Sequence, residues 1–521
     1  MDHNNKTAII GLPGTGKTTT LVNMIPEIIV KEDFQLEDIC FCTFSKDMAA
    51  EIRTKSMDLL GISEKDLKGL PYFGKTIHSV CLRLTQNGFK GVGKEDKEDF
   101  AKKYNLKYDS ENEHAKDLLN VFFNARSYLI NENFSVEDYR KYKPIAKSTV
   151  TLERFIELCK LWKAYKEEKR LVDFEDMLKK VDRSGLIPPT RVLIVDEFQD
   201  LNPLQYEIYK RWAENMDKVV IVGDPFQAIY SFMGSKPEFF RVESGNNLSV
   251  LPITYRLNKS SWLFARKIIE KNKVPIPDLE CKGESEHGPC FVGRITPNLD
   301  RKREIAILGQ CGFMLANVVK ELDNAGIPHK GFGGWSDKEV LLFNAFFKLR
   351  NKRDDFFREE VDWLIEVFRS GFLGGKKKEL KKLIKPRMCF SEVSRFISPF
   401  FIEDILLEPY SREYVLSSKN ALPDSSLKRI MKGFKVYKEP IDLKNAVYVG
   451  TIHSAKGSQF DDVFLLGNIS NSTVKENQRD HEKMMETNRL FFVGATRHSH
   501  RLFLVRDYLR NGKVFKFPDL N

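Results

Sequence analysis

No run of about 18 apolar residues passes without a charge, so no membrane-crossing helix is expected. The eight cysteines include no C-x-x-C pair, and Cys281 and Cys290 have no paired histidines nearby at zinc-finger spacing. A structural metal is therefore not expected, and the cysteines read as reduced thiols of a cytoplasmic protein. Cys40 and Cys42 stand two apart in an apolar strand-like run and should face the same side of a sheet, as core residues. Short internal repeats and a low-complexity tail are both absent. The opening residues, MDHNNK, lead straight into a strand-like run, which leaves no room for a signal peptide. No glutamine precedes Gly11; the first is Gln35.

What is present is a chain of 521 residues, too long for one core, which predicts about three or four domains. Its 42% hydrophobic and 30% charged residues are those of an ordinary globular protein. The net charge of +11 suits a polyanionic partner, although many basic proteins have none.

The stretch GLPGTGKTTT spans residues 11 to 20. Gly11, Gly16, Lys17 and Thr18 fit G-x-x-x-x-G-K-[ST], with an apolar run (7–10) before it and helical spacing (19–30) after it. That strand–loop–helix context makes a phosphate cradle of Gly14, Thr15, Gly16, Lys17, Thr18 and Thr19. Backbone N–H groups and the helix N-terminus take the phosphate oxygens. Lys17 should reach the β/γ-phosphates of ATP, and the Thr18 hydroxyl should hold Mg²⁺.

Strand and helix patterns alternate to about residue 80, then a charged helical stretch intervenes before the β-branched runs 192–195 and 219–222. Both runs end in acids, and open parallel sheets collect ligands at the carboxyl ends of their strands. Asp196 can hold Mg²⁺ and Glu197 can polarise the attacking water. A second sheet pattern begins near 247, is interrupted by helical, charged sequence from about 353 to 440, and resumes to the end. The basic run at 376–387 lies in that second insertion and suits either duplex phosphates or a solvated helix face.

Five segments occur in order: DEFQD, VGDPFQAIYSF, TYR, TIHSAKGSQF and RLFFVGATR. They resemble the ordered motifs of superfamily 1 helicases, in the UvrD/Rep/PcrA branch. FCTFSKDMAAEIR, KTIHSVCLRL, LVDFEDML and DNAGIPHKGFGG resemble further segments of the same family. The resemblance implies an α/β fold with two RecA-like motor domains built on parallel sheets, each carrying a mainly helical insertion. The first motor is expected over 1–80 and 147–246 with its insertion at 81–146. The second is expected over 247–352 and 441–521, with a reduced insertion at 353–440.

ATP would lie between the motors. Gln227 would sense the γ-phosphate, Arg256 and Arg497 would be arginine fingers from the second motor, and Tyr255 would stack on adenine. Taking the cations from a mobile partner would couple hydrolysis to closure. For the DNA strand, Phe44, His78, Tyr230 and Phe232 are the rings inside matched motifs, and base stacking tolerates any sequence. Thr43, Ser79, Thr451, His453 and Ser454 can donate to phosphates.

Two departures stand out. The family's IYxWRG is Ile229-Tyr230-Ser231-Phe232-Met233-Gly234, where Met233 replaces an arginine. Its GLEF is Gly457-Ser458-Gln459-Phe460, so Gln459 bonds a ribose hydroxyl without charge assistance. The family also carries an adenine-reading glutamine ahead of the phosphate loop; here Asn4 and Asn5 are the nearest substitutes. GTP or dATP is accordingly expected to serve within about tenfold of ATP.

The expected activity is ATP-driven translocation on single-stranded DNA and 3′→5′ unwinding at single-strand/duplex junctions. The alternative is a DNA-stimulated ATPase that gates a partner nuclease in antiphage defence or recombination, without processive unwinding.

Overall fold

A computed structural model describes residues 5–85, 88–109, 117–142, 148, 150–245, 248–400, 424–509 and 512–520. The chain divides into two compact units. One comprises Met1–Glu284 with Glu482–Phe492, the other Ser285–His481 with Val493–Asn521.

The first unit is built on six parallel strands: β1 (Lys6–Ile10), β2 (Ile39–Thr43), β3 (Phe73–Thr76), β4 (Val192–Val195), β5 (Lys218–Gly223) and β6 (Leu248–Val250). Their order is β3-β2-β4-β5-β1-β6. Alternation of side chains gives the sheet two apolar faces. Ile9, Phe41, Ile194 and Val222 pack against Leu21, Val22 and Ile25 of the helix Lys17–Glu32. Ala8, Cys40, Cys42, Val195 and Ile221 face the opposite cluster with Leu178, Leu204 and Trp212. Cys40 and Cys42 thus share one side, as their spacing requires. Because every strand runs the same way, the loops that follow β1, β2, β3, β4 and β5 all leave from one sheet edge.

The helical insertion has its own core of Phe100, Phe122, Phe155, Trp162 and Tyr165. Here the structure differs from the expected end at 146. Helix Leu152–Lys169 belongs to this core, because Phe155, Leu158, Trp162 and Tyr165 recur at helical spacing and are buried among its aromatics. The expected boundaries 146/147 and 246/247 include residues outside those described, as does Asn4.

The second unit holds another six parallel strands: β7 (Cys290–Phe291), β8 (Ile305–Gly309), β9 (His329–Gly331), β10 (Val447–Thr451), β11 (Phe460–Leu466) and β12 (His498–Val505). They are ordered β7-β12-β11-β8-β10-β9. A separate apolar cluster runs from Trp335 through Phe343, Phe346, Val361 and Leu364 to Ile430 and Ile441. Helix Asp337–Arg350 is part of it, so the second insertion's core starts ahead of the expected residue 353. Residues 401–423 of that insertion lie outside those described.

The larger difference concerns 247–284, expected in the second motor. This stretch groups with the first unit because β6 extends the first sheet beside β1, pairing Ala8 with Leu248 and Ile10 with Val250. Among the described residues no helix is long and apolar enough to cross a membrane. All eight cysteines are free of disulfides.

Candidate functional site

The loop after β1 takes its shape from two glycines in the left-handed region, Gly14 at φ 75° and Gly16 at φ 76°, a conformation that costs an L side chain energy. Gly11 leaves room for the Lys17 stem: an added Cβ would stand 2.1 Å from Lys17 Cγ. Lys17 folds back over the loop and donates to the Gly11 carbonyl at 2.9 Å. The Thr15 hydroxyl donates to the Leu12 carbonyl at 2.8 Å, which tightens the turn. Thr18 and Thr19 open the helix behind it, where backbone N–H groups are left unpaired for an anion.

The acids follow β4, two strands from β1. The Thr18 hydroxyl donates to Asp196 at 3.2 Å. The Glu197 carboxylate stands 3.9 Å from the Lys17 ammonium. Glu197 is itself held at φ 54°, unusual for a residue with a side chain and typical of strained functional positions. Burial, reinforced by the Glu197 charge, pushes the Asp196 carboxyl up to about 7. A divalent cation would reverse that balance, and the Thr18 hydroxyl beside a buried carboxylate is a hard-oxygen pair of the kind Mg²⁺ takes.

After β5, burial also raises the Asp224 carboxyl, and Gln227 donates to it. Gln199 ties the two acidic loops together, donating to Glu197 and accepting from the Asp224 N–H at 2.8 Å. Lys17, Thr18, Asp196, Glu197 and Gln227 are thus gathered at one sheet edge by three adjacent strands. Gln199, inside DEFQD, is thus a further member of the site.

The TYR segment docks directly on the phosphate loop. The Thr254 hydroxyl donates to the Pro13 carbonyl at 2.8 Å, and the Tyr255 N–H donates to the Gly14 carbonyl at 2.9 Å. Tyr255 is left 61% exposed, its ring free to meet a planar base. Arg256 follows so closely that a Cβ on Gly14 would lie 2.4 Å from Arg256 Cβ. Arg256 was expected from the second motor; the structure places it on the first unit, beside the loop it would serve.

The other arginine, Arg497, belongs to the second unit and is 3% exposed. Its guanidinium donates to the carbonyls of Val493 at 3.1 Å and Ser458 at 3.4 Å. Gln459, next to Ser458, is exposed. Thr451 ends β10 and His453 and Ser454 follow it, with the Ser454 hydroxyl donating to the Thr451 carbonyl at 2.9 Å and accepting from Tyr448 at 2.9 Å.

On the first unit, Phe44 stacks on Tyr230 with centroids 5.3 Å apart, and Phe232 meets Tyr230 edge-on at 6.1 Å. Phe232 is 51% exposed, the reverse of a core aromatic. Ser79 is exposed and bonded to Thr76, whereas burial pushes His78 down to about 4 and keeps its ring neutral. His78 meets Phe174 edge-on at 5.4 Å, and Phe174 is half exposed. Phe174, inside LVDFEDML, is therefore a ring on this face that the sequence reading passed over. Thr43 is a correction: its side chain is wholly buried with the hydroxyl on Met48 Sδ at 3.7 Å, because it ends β2, a strand covered on both faces. It has no surface to offer a phosphate.

Of the basic run 376–387, Lys381 pairs with Asp362 and Glu366, Lys385 pairs with Glu392, and Lys377 donates to the Glu366 carbonyl. Two of the run's seven cations are thus ion-paired within the chain.

Comparison with known proteins gives two family matches. The UvrD/REP helicase N-terminal domain matches residues 2–246, and the UvrD-like helicase C-terminal domain matches residues 408–507. The chain is 23% identical over 596 residues to the Probable DNA helicase II homolog of Mycoplasma pneumoniae, covering 96% of this chain and 82% of that protein. It is 23% identical to the ATP-dependent DNA helicase Rep of Buchnera aphidicola, covering 97% and 93%. It is 22% identical to the ATP-dependent DNA helicase PcrA of Bacillus subtilis, covering 95% and 80%.

Proposed function

The chain belongs to the UvrD/Rep helicase family, and from that premise we propose that it is an ATP-dependent DNA helicase that moves 3′→5′ along single-stranded DNA. The observation that carries the proposal is the joint placement of two features at one sheet edge of the first unit. Lys17, Thr18, Asp196, Glu197 and Gln227 converge there. Phe44, Tyr230 and Phe232 offer stacking rings on the loops after β2 and β5.

In this reading Lys17 and the loop N–H groups bind the β/γ-phosphates. Thr18 and Asp196 hold Mg²⁺, which when bound neutralises charge on the phosphates. Glu197 orients the attacking water and accepts its proton, and Gln227 contacts the γ-phosphate. Arg256, docked beside the loop, and Arg497, carried on the second unit, stabilise charge on the transferred phosphoryl. Tyr255 stacks on the base and Gln459 bonds the ribose. Thr451, His453, Ser454 and Ser79 meet strand phosphates, while the rings, with His78 and Phe174 among them, meet bases.

The relatives' names are those of helicases, which favours unwinding over the gating of a partner nuclease. The test is steady-state ATPase with and without single-stranded DNA, in the wild type and in Arg497→Ala. Strong stimulation by DNA is expected, with Arg497→Ala losing turnover about 10²-fold or more while strand affinity holds. Equal loss of turnover and affinity would assign Arg497 to the strand or to the core instead.

A further inference from the structure

One short segment joins the phosphate site to the stacking rings. Gln227 bonds Asp224, and Tyr230 stacks on Phe44; only Ala228 and Ile229, both buried, lie between them. Helix His481–Ala495, whose residues Glu482–Phe492 belong to the first unit, holds this segment at two points. Arg489, itself buried, donates from Nε to the Ala228 carbonyl at 3.0 Å. One turn earlier, Glu486 accepts from the Ser231 hydroxyl, and Lys483 donates to the same hydroxyl at 3.1 Å and to Glu486 at 2.7 Å.

Residues 483, 486 and 489 recur every three positions, so they follow one side of the helix. An apolar side would have sufficed for packing. Charged donors and acceptors instead fix direction as well as distance, and they are stronger than neutral pairs. With Ala228 and Ser231 both tied to one rigid helix, a shift of Gln227 toward a γ-phosphate is transmitted to Tyr230 and Phe232 or must break a charge-assisted bond. Met233, close by in the segment, offers no cation of its own, so Lys483 is the charge supplied at Ser231.

We propose that Lys483 and Glu486 are positioning residues that couple phosphate sensing at Gln227 to the ring pair Phe44–Tyr230, and so set how strongly bound single-stranded DNA accelerates ATP hydrolysis. The inference rests on the reading of Gln227 and the rings given under Proposed function.

The experiment uses the full chain and the variants Lys483→Met, Glu486→Gln, Lys483→Arg and Phe232→Ala. Three quantities are measured: basal ATPase, ATPase at saturating oligo(dT), and affinity for a fluorescent oligo(dT). Lys483→Met and Glu486→Gln are expected to lower DNA-stimulated turnover about tenfold, the worth of one charge-assisted hydrogen bond. Basal turnover and oligo(dT) affinity should stay at wild-type levels, and Lys483→Arg should restore most of the stimulation. Undiminished stimulation in Lys483→Met overturns the proposal. A parallel fall of basal and stimulated turnover also overturns it, since that marks a merely structural pair. Phe232→Ala separates the two levels. If it leaves oligo(dT) affinity unchanged, the underlying strand reading fails and the coupling falls with it. If it weakens binding while Lys483→Met changes nothing, the coupling alone fails.

Discussion

Gly14→Ala places one methyl group where the phosphate loop meets the TYR segment. At φ 75° the backbone disfavours any side chain, by roughly 1–2 kcal/mol. The new Cβ would stand 2.4 Å from Arg256 Cβ and 2.7 Å from the Thr254 hydroxyl, so that segment has to move. Overpacking of this kind costs roughly 1–3 kcal/mol, and the stiffer unfolded chain returns about 0.4–1 kcal/mol. The displaced groups include the Tyr255 N–H, bonded to Gly14 itself at 2.9 Å, and Arg256. If about 2 kcal/mol of the disturbance reaches the transition state, turnover falls about thirtyfold. Gly61→Ala is the control: its φ of 65° carries the same backbone penalty, but nothing stands within 4 Å of the added carbon. The assay is kcat for ATP at saturating single-stranded DNA, with the thermal midpoint measured alongside. Gly14→Ala turning over within about threefold of wild type, a difference under 1 kcal/mol, would refute the reasoning. So would an equal loss of turnover in Gly61→Ala.

Lys17→Ala and Glu197→Gln should each lower turnover by about 10²-fold or more, the first through nucleotide binding and the second with binding intact; comparing nucleotide affinity with kcat separates the two routes. Phe232→Ala removes a stacking contact worth about 1–3 kcal/mol, so distance moved per ATP should drop more than ATPase does, and an unchanged ratio would place the ring outside the track. Thr43→Val keeps the buried shape and should leave strand affinity as it is, whereas a marked loss would mean that the hydroxyl reaches a phosphate after all. GTP and dATP should support DNA-stimulated hydrolysis within about tenfold of ATP, and a preference for ATP of about a hundredfold would show that another group reads the base edge.

The phosphate loop and the acids after β4 were legible because their chemistry depends on local spacing. Gly16-Lys17-Thr18 and Asp196-Glu197 need only a strand before them to be placed. The rings at 44, 230 and 232 were legible only through the family motifs, since an aromatic at a strand end is ordinarily core. Thr43 shows the weakness of that route: it is the last residue of β2, all five of whose residues are buried, while the adjacent Phe44 already lies in the loop beyond the strand. The position of Arg256 was not legible. It depends on β6 adding to the far side of β1, a long-range pairing that a three-residue strand hardly signals. The end of the first insertion was missed for a related reason. Helix Leu152–Lys169 carries apolar residues at ordinary spacing, and nothing local says which of two cores receives them. Phe174 was overlooked because its exposure is set by the helix it opens, not by the motif around it.

The most direct test of the account is strand displacement by the isolated protein on two duplexes that differ only in carrying a 3′ or a 5′ single-stranded tail, with ATP and Mg²⁺ present and Glu197→Gln as the inactive control. The account predicts displacement from the 3′-tailed duplex that requires ATP and is lost in Glu197→Gln, with little from the 5′-tailed one. Vigorous DNA-stimulated ATPase without displacement of either duplex, or displacement favouring the 5′ tail, would contradict it.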